Sequence, residues 1–486
     1  MGAGPAGLTA AYELGKYGVP ATVLEKDERF VGGLARTAEY RGYRFDIGGH
    51  RFFSKNQEIE DLWTEILGDE MRERARLSRI YYQGRYFDYP LKVGNALRNL
   101  GAAETVRCVA SYGWARLHPV GVPRSFEDWV SNQFGRRLFE IFFKTYTEKV
   151  WGIPTSELSA DWAAQRIKGL DVTALVRSAL PWGHPHGSGS EDRSAVVRTL
   201  IDRFRYPRLG PGQMWERVSS VLSSRGGRVL LGREVATLRH ARGLARRVRT
   251  VNGEEFEGTD FVSTLPIRDL VAGLDPPPPA KVARAASSLG YRDFLTVALI
   301  VDRREVFPDN WIYVHDPDVQ VGRIQNFGAW SADMLADPRR SCLGLEYFCF
   351  EGDEVWSSPD QELVARARRE LVRLGMVREE EVVDGTVVRM TRAYPVYDDA
   401  YRDHLDVIRA WLQTALPNLH LCGRNGLHRY NNQDHSMMTA LVVARNIAEG
   451  SSLDPWKVNG DAEYIEEVRG GDKDSLGRQA PVRLAG

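Results

Sequence analysis

The glycine pattern at the start of the chain limits the fold more than any other feature of the sequence. Gly2, Gly4 and Gly7 have the GxGxxG spacing, and residues 8–18 continue with helical periodicity. In a dinucleotide-binding turn these glycines permit tight bending, close approach of the backbone to a pyrophosphate, and close packing of helix on strand. An apolar, β-branched segment then ends in Glu25, at the distance expected of a ribose-binding acid. The order of these elements predicts a Rossmann-type α/β domain.

The strand that is expected before the glycine turn is too short in this sequence. A dinucleotide-binding turn normally follows a buried strand of about five apolar residues, whereas Met1 alone precedes Gly2. We therefore expect that the chain is truncated or that its start codon is misassigned. The alternative is a glycine-rich helix entry that binds no ligand.

A second set of glycines indicates which dinucleotide is bound. Gly32, Gly33 and Arg36 lie just after the second predicted strand, and His50 follows another glycine pair. This arrangement resembles the flavin-binding stretch of glutathione-reductase-like, amine-oxidase-type flavoproteins. The resemblance implies FAD rather than NAD as the cofactor. It places the glycine pair close to the FAD, Arg36 at its phosphates and His50 near the flavin ring.

The middle of the chain alternates between helical and extended patterns. Helical periodicity covers 191–205 and 214–224. The extended segments that follow resemble the middle FAD-binding part of the same superfamily, with Val235 meeting the adenine side. These segments are 227–235, 244–251 and 261–266. Apolar alternation farther along predicts a half-buried antiparallel sheet, with strands at 294–302, 311–315, 323–327 and 343–350.

These patterns predict three structural parts and a tail. The first is a discontinuous, Rossmann-type (glutathione-reductase-like) FAD-binding domain that carries the glycine turn. The second is an inserted helical part that caps the substrate, and the third is an antiparallel-sheet substrate domain. The predicted ranges are 1–80, 210–275 and 415–450 for the FAD-binding domain, 81–209 for the helical insertion, 276–414 for the substrate domain, and 458–486 for a flexible tail.

Three longer motifs narrow the family. Residues 146–152 read YTEKVWG, residues 393–396 read AYPV, and residues 422–434 read CGRNGLHRYNNQD. In this order they resemble the UDP-galactopyranose mutase family, and the likeness runs over 2–449. The stretch 152–159 is also similar to protoporphyrinogen oxidase-like proteins. The resemblance implies that Gly423 and Arg424 lie along the FAD and that a helix over 437–448 directs its N-terminus at the flavin.

Carried over residue by residue, the same resemblance implies a substrate pocket. Tyr146 and Trp151 would wall the sugar or nucleotide. Tyr394 and Tyr430 would reach the substrate phosphates, and Arg323 would bind the pyrophosphate. The predicted catalytic residues are therefore His50, Arg323 and Tyr430, and the predicted substrate-binding residues are Tyr146, Trp151, Tyr394 and Asn432. Structural roles stay open, because helical aromatic residues are commonly core residues and a lone strand arginine commonly forms a surface ion pair.

Three positions depart from the mutase pattern. A second pyrophosphate-binding arginine is expected where this chain has Leu170, although Lys168 could act there as a point charge. Phe53 replaces a second histidine, and Asn432 replaces an aspartate. Because losing one arginine of a pair removes bidentate hydrogen bonds to phosphate, these departures count against a UDP-sugar substrate.

Charge and cysteine content exclude several other classes of protein. The 65 Lys and Arg residues balance the 65 Asp and Glu residues, so the chain has no overall field that attracts nucleic acid or an anionic membrane. The four cysteines form no CxxC pair, so neither a metal site nor a disulfide framework is predicted. No secretory signal or run of about 18 apolar residues is found, so we expect a cytoplasmic protein without an integral membrane segment. The oligomeric state stays open.

These observations lead to one predicted function and two alternatives. The first is an FAD-dependent oxidoreductase that acts on a polar small molecule, with glycosyl compounds and sugar nucleotides as candidates and flavin N5 as the reactive centre. The second is a mutase that uses reduced FAD to change the ring size of a sugar nucleotide without net oxidation. The third is a flavin-bound interaction protein without catalysis, which the pocket aromatic residues disfavour.

Overall fold

The computed structural model describes residues 1–89, 91, 93–160, 198–200, 203–398, 400–458 and 467–469. Helices and strands alternate through this part of the chain. The helices are Pro5–Lys16 (α1), Gln57–Leu67 (α2), Val93–Leu100 (α3), Ala102–Leu117 (α4), Phe126–Phe134 (α5), Arg136–Phe139 (α6), Thr145–Trp151 (α7), Gly212–Ser224 (α8), Ile267–Ala272 (α9), Ala280–Ser287 (α10), Phe327–Trp330 (α11), Glu354–Ser357 (α12), Asp360–Arg373 (α13), Tyr401–Ala415 (α14), Gly423–Gly426 (α15) and Gln433–Glu449 (α16).

The strands belong to seven sheets in the described residues. They are Thr22–Leu24 (β1), Thr37–Tyr40 (β2), Tyr43–Asp46 (β3), Met71–Ala75 (β4), Ser78–Tyr82 (β5), Arg85–Asp88 (β6), Arg198–Leu200 (β7), Arg203–Pro207 (β8), Arg228–Leu230 (β9), Val235–Ala241 (β10), Leu244–Thr250 (β11), Glu255–Glu257 (β12), Phe261–Ser263 (β13), Leu274–Asp275 (β14), Tyr291–Val301 (β15), Trp311–Val314 (β16), Arg323–Asn326 (β17), Ser341–Cys349 (β18), Val382–Pro395 (β19), Leu419–Leu421 (β20) and Glu467–Arg469 (β21).

The first residues of the chain join two parallel strand pairs into one layer. β1 pairs with β9, and β13 pairs with β20, both in parallel. The backbone of residues 1–3 lies between these pairs, because Gly2 N donates to Leu24 O at 2.7 Å and Thr264 N donates to Met1 O at 3.2 Å. α1 follows at once and packs against α16. The predicted Rossmann-type α/β architecture is confirmed.

A seven-stranded sheet forms the other layer, in the order β19-β15-β18-β17-β16-β5-β6. Neighbouring strands are antiparallel except for the parallel pair β16 and β5. Every residue of β15 is buried, because both faces of the sheet are covered. Phe294 and Ala298 point to the face that holds Trp151, whereas Leu295 and Val297 point to the face covered by α13. The predicted antiparallel sheet is therefore present, with one parallel pair added.

One predicted element is wrong. The helix expected over 191–205 is extended where the structure describes it, since β7 pairs with β21 and β8 pairs antiparallel with β4. Phe204 and Tyr206 are buried, whereas Arg203 is exposed, so the burial period is two rather than 3.6. The pairing with β4 outweighs the local helical pattern.

The predicted domain boundaries stay predictions. β5 and β6 extend the seven-stranded sheet, although the predicted helical insertion begins at residue 81, inside β5. Of the predicted tail over 458–486, the structure describes 458 and 467–469. Among the described residues, no helix is both long enough and apolar enough to cross a membrane.

Candidate active site

A cavity of about 480 Å³ opens between the N-terminal glycine turn, the start of β10 and the segment from α15 to α16. It lies at the carboxyl ends of β1 and β13, where parallel α/β sheets commonly bind their ligands. Of the predicted cofactor residues, those in its lining are Gly2, Gly4, Glu25, Gly33, Val235, Gly423 and Arg424. His50 and Asn432, which the sequence assigns to catalysis and substrate binding, also line it.

Glycines shape one wall of this cavity because side chains would not fit there. A Cβ atom on Gly7 would lie 1.9 Å from the carbonyl oxygen of Gly2, and one on Gly33 would lie 3.3 Å from Cα of Gly4. Gly33 also has a φ of +53°, and Gly32 has a φ of +102° while donating from N to Ala3 O at 2.7 Å. The two glycine turns are thus packed on each other, which leaves bare backbone facing the cavity.

Glu25 lines this cavity, whereas Arg36 does not. Both carboxylate oxygens of Glu25 accept backbone hydrogen bonds, from Ala3 N at 2.6 Å and from Asp27 N at 3.0 Å. Glu25 therefore fixes the glycine turn as well as lining the cavity. Arg36 lies outside the lining, with its guanidinium over the ring of Phe30 at 5.0 Å, and burial lowers its pKa. Its predicted contact with phosphates stays a prediction.

The N-terminus of α16 forms the opposite wall. The helix begins at Gln433, four residues earlier than the sequence predicts, because Asn432 caps it: its side chain accepts from the backbone of His435. Gln433 and Ser436 line the cavity. The side-chain oxygen of Gln433 accepts from Trp215 Nε1 at 3.3 Å, but its buried Nε2 has no hydrogen-bond partner. A buried donor without a partner indicates that a ligand bound in the cavity supplies the acceptor.

His50 faces the cavity as a neutral side chain. Its Nε2 hydrogen-bonds to the carbonyl oxygen of Ile47 at 2.9 Å, so that nitrogen is the donor. Burial, followed by the nearby positive charge of Arg424, lowers the pKa of His50 to about 4. At neutral pH the ring proton is therefore on Nε2, and Nδ1 is left as a hydrogen-bond acceptor.

An aromatic cluster adjoins the cavity and consists of Trp151, Tyr394 and Tyr430. The Tyr394 and Tyr430 rings stack at 5.6 Å with an angle of 18°, and Trp151 lies 6.4 Å and 6.3 Å from them. Arg424 lies over both tyrosine rings, at 5.3 Å and 5.0 Å. The sequence prediction that these residues belong together thus agrees with their placement, although their roles stay predictions.

Arg323 reaches the same cluster from β17. Its Nη2 donates to the hydroxyl of Tyr394 at 3.3 Å, and its Nε donates to Glu346 at 2.5 Å. Gln325 donates to the other oxygen of Glu346 at 2.8 Å. The charge of Arg323 is therefore partly offset inside the protein, and burial of this ion pair excludes the surface role that was left open.

Tyr146 lies near Arg323 but packs on other rings than those of the aromatic cluster. Its ring stacks on His315 at 4.9 Å and meets Tyr313 edge-on at 5.4 Å. The turn before Tyr146 is unusual, because Glu140–Lys144 forms a π-helix between α6 and α7. Such π-turns are frequent at functional sites.

The remaining residues of the YTEKVWG motif have structural roles. The Lys149 ammonium donates to three carbonyl oxygens, those of Val314, Asp316 and Val321, at 3.2, 2.6 and 3.2 Å. Glu148 accepts from both N and Oγ1 of Thr155 at 3.2 Å. The motif therefore ties α7 to the seven-stranded sheet and holds Tyr146 and Trp151 in place.

Comparison with known proteins decides the family. The family model described as "Flavin containing amine oxidoreductase" matches residues 5–433. The chain belongs to this family. The "Probable UDP-galactopyranose mutase" of Klebsiella pneumoniae is 25% identical over 170 residues, which is 33% of this chain and 42% of that protein. The chain thus matches less than half the length of this relative.

Solved structures share the whole fold. Reduced UDP-galactopyranose mutase superposes with a TM-score of 0.79 at 21% identity, covering 94% of this chain and 97% of that one. A "Putative protoporphyrinogen oxidase" from Exiguobacterium sp. gives 0.68 at 18% identity, covering 93% and 98%. Putrescine oxidase bound to putrescine gives 0.61 at 18% identity, covering 92% and 98%. The predicted likeness to mutase-like and protoporphyrinogen oxidase-like flavoproteins is confirmed.

The protein is an FAD-dependent enzyme of this family, and its cavity fits the cofactor. The bare glycine turns suit a pyrophosphate, and the N-terminus of α16 suits a ring that carries negative charge. Besides Gln433 Nε2, the buried Oδ1 of Asn425 in the lining also has no hydrogen-bond partner. These atoms and the backbone of Gly4 and Gly33 are the groups that would hold FAD.

Sequence reasoning missed Glu346 and Gln433. Glu346 stands in an otherwise apolar strand, and a single charge in such a strand is a signal of a buried partner. Gln433 lies inside the C-terminal motif but gives no signal of its own. Leu170 and Lys168, at which a second arginine was considered, lie outside the described residues.

Proposed function

We propose that this FAD-dependent enzyme is an oxidoreductase for an anionic glycosyl compound, such as a sugar nucleotide. The observation that carries the proposal is the pair of guanidinium groups, Arg323 and Arg424, at the tyrosine hydroxyls and rings of the aromatic cluster. Guanidinium groups and phenols donate hydrogen bonds to phosphate and carboxylate oxygens. A protonated amine would instead need carboxylates or an uncharged aromatic cage.

Glu346 does not supply such an amine site. Both of its oxygens already accept hydrogen bonds, from Arg323 and from Gln325, and the residue is fully buried. Its charge is taken up by the ion pair with Arg323. A cationic substrate would therefore meet two arginines without a free counter-charge, which is unfavourable at close range.

The other residues around the cavity can hold and orient a polar ring of the substrate. Bound FAD supplies an acceptor of hydride from a carbon that bears a hydroxyl or amine. Tyr430 and Tyr394 donate to the anionic part of the substrate, while the neutral ring of His50 contacts the part nearest the cofactor cavity. Trp151 excludes water from one side of the cluster. This division of roles predicts that losses at Arg323 raise KM more than they lower kcat.

The test is anaerobic mixing of the oxidised, FAD-loaded protein with sugar nucleotides and with amines such as putrescine. Bleaching of the flavin absorbance by an anionic glycosyl compound supports the proposal, and bleaching by amines alone refutes it. Arg323→Ala should raise KM at least about tenfold, which corresponds to about 1.4 kcal/mol. Arg339→Ala is the matched control, because Arg339 is an exposed arginine that pairs with Asp337.

A second candidate is a rearrangement of a sugar nucleotide without net oxidation. The placement of Arg323, Tyr394 and Tyr430 supports it, since these are the positions that the mutase resemblance assigns to phosphate binding. A mutase would need reduced FAD, consume no stoichiometric acceptor and change the ring size of the recovered sugar. Product analysis with and without dithionite separates the two candidates.

A further inference from the structure

The outer side of α4 and the loop after it is apolar and exposed. Val106, Trp114 and Leu117 are 67%, 66% and 77% exposed, and Val122 in the loop is 79% exposed. We call residues 102–124 the α4 surface. Large apolar side chains gathered on one exposed face mark an interaction site, whereas isolated ones do not.

The orientation of α4 is the reverse of an ordinary surface helix. Val106, Gly113 and Leu117 lie on one stripe at helical spacing, and this stripe faces outwards. The inner side holds buried Cys108 and the ion pair between Glu104 and Arg137 of α6. An ordinary surface helix buries its apolar stripe and exposes its polar side. The fold therefore holds α4 in place by its inner side and leaves the apolar stripe for a partner.

The charged residues that border this stripe are arginines. Exposed Arg107 and Arg116 border it on the helix, and exposed Arg124 ends the loop. Glu104 is the one acidic residue between positions 102 and 124; it lies on the inner side, where it pairs with Arg137 and, at 3.3 Å, with Arg107. Trp114 stacks on His118 at 4.1 Å. Although the whole chain has a net charge of zero, the α4 surface is apolar and basic.

An anionic lipid surface matches this combination. Helices that lie in a membrane interface have an apolar face, basic borders and often a tryptophan at headgroup level. Each arginine near such a surface adds to binding by attraction to acidic headgroups. We propose that the α4 surface docks the enzyme on a membrane that contains anionic lipids. α4 packs on α6, whose helix continues to Tyr146 and Trp151, so docking would bring the substrate pocket near the membrane.

The test is sedimentation of the full-length, FAD-loaded protein with lipid vesicles. Vesicles of phosphatidylcholine alone are compared with vesicles that also contain phosphatidylglycerol, at low and high salt. Binding to the mixed vesicles, weakened by salt, is the expected result. The double variant Trp114→Ser, Leu117→Ser should lower the partition coefficient about tenfold or more. Replacing the three arginines by glutamine should abolish the preference for phosphatidylglycerol while leaving FAD content unchanged.

Val251→Ser is the matched control. Val251 is 67% exposed, as is Val106, but it lies after β11, outside the α4 surface. It should bind vesicles as the natural protein does. The proposal is wrong if neither vesicle binds or if the double variant binds equally well. Concentration-dependent self-association that the same double variant removes would assign the surface to a second copy of the chain and overturn lipid docking.

Discussion

Replacing Glu346 with glutamine should weaken the fold and strengthen the binding of anions. Glu346 is fully buried and accepts from Arg323 at 2.5 Å and from Gln325 at 2.8 Å. A glutamine side chain keeps one acceptor oxygen and loses the negative charge. The lost charge-assisted hydrogen bond is worth about 1.5–3 kcal/mol, and Arg323 is left partly uncompensated. We expect the free energy of unfolding to fall by about 3 kcal/mol.

The same substitution releases donors of Arg323 toward the pocket. If that pocket binds phosphates, inorganic pyrophosphate or UDP should bind about tenfold more tightly to Glu346→Gln, the gain of roughly one charge-assisted hydrogen bond. Titration calorimetry of the FAD-loaded protein measures the affinity, and chemical denaturation measures the stability. The two quantities should move in opposite directions.

Asp309→Asn is the control for this experiment. Asp309 is equally buried and accepts two hydrogen bonds from Arg79, at 2.8 and 2.6 Å, outside the aromatic cluster. It should lower stability by a similar amount and leave the affinity for pyrophosphate unchanged. Weaker binding by Glu346→Gln, or equal gains in both variants, would refute the assignment of Arg323 to an anion site.

Three other changes test other parts of the structure. Gly33→Ala should reduce FAD retention, because φ is positive at this residue and the added Cβ would lie 3.3 Å from Cα of Gly4. Gly253→Ala is the control, since Gly253 also has a positive φ but an added Cβ would meet no neighbouring atom. The FAD content of the two variants after gel filtration is the measurement. Burial raises the pKa of Asp46 to about 8, so the folded state favours the protonated acid and the free energy of unfolding should fall as pH rises from about 4 to 8. Asp46→Asn should flatten this pH dependence, measured by denaturation at a series of pH values. An equal pH dependence in the natural protein and the variant would contradict the burial argument. Lys149→Met should cost about 3 kcal/mol of unfolding free energy, since three carbonyl oxygens lose their donor, and an unchanged denaturation midpoint would show that water replaces it.

Features that depend on neighbouring residues could be predicted from the sequence. The turn at Gly2, Gly4 and Gly7 follows from backbone sterics within a few residues, so the α/β fold and its cavity were accessible to pattern reasoning. The capped start of α16 at Asn432 has a similar local cause, although the family resemblance placed it four residues late. The family motifs added Tyr394 and Tyr430, which the structure brings into contact.

Features that depend on strand register could not be predicted in this way. Arg323 is opposite Glu346 because β17 and β18 pair in that register, and nothing near Arg323 in the sequence announces it. The same applies to β8, whose pairing with β4 overrides a helical pattern. Lys149 has three acceptors only because α7 lies over one end of the seven-stranded sheet.

The π-helix over 140–144 lets this helix hold one residue more without turning the pocket residues that follow it. Its hydrogen bonds run from residue i to i+5, so a π-turn uses one residue more than an α-turn for about the same rotation. Deleting one residue there would restore α-helical geometry and leave the phase of the following helix nearly unchanged. Tyr146 and Trp151 would keep their directions, and the change would be confined to the side chains of the turn itself. Related chains that differ by a single residue in this turn can thus keep the same pocket walls on the same helical support.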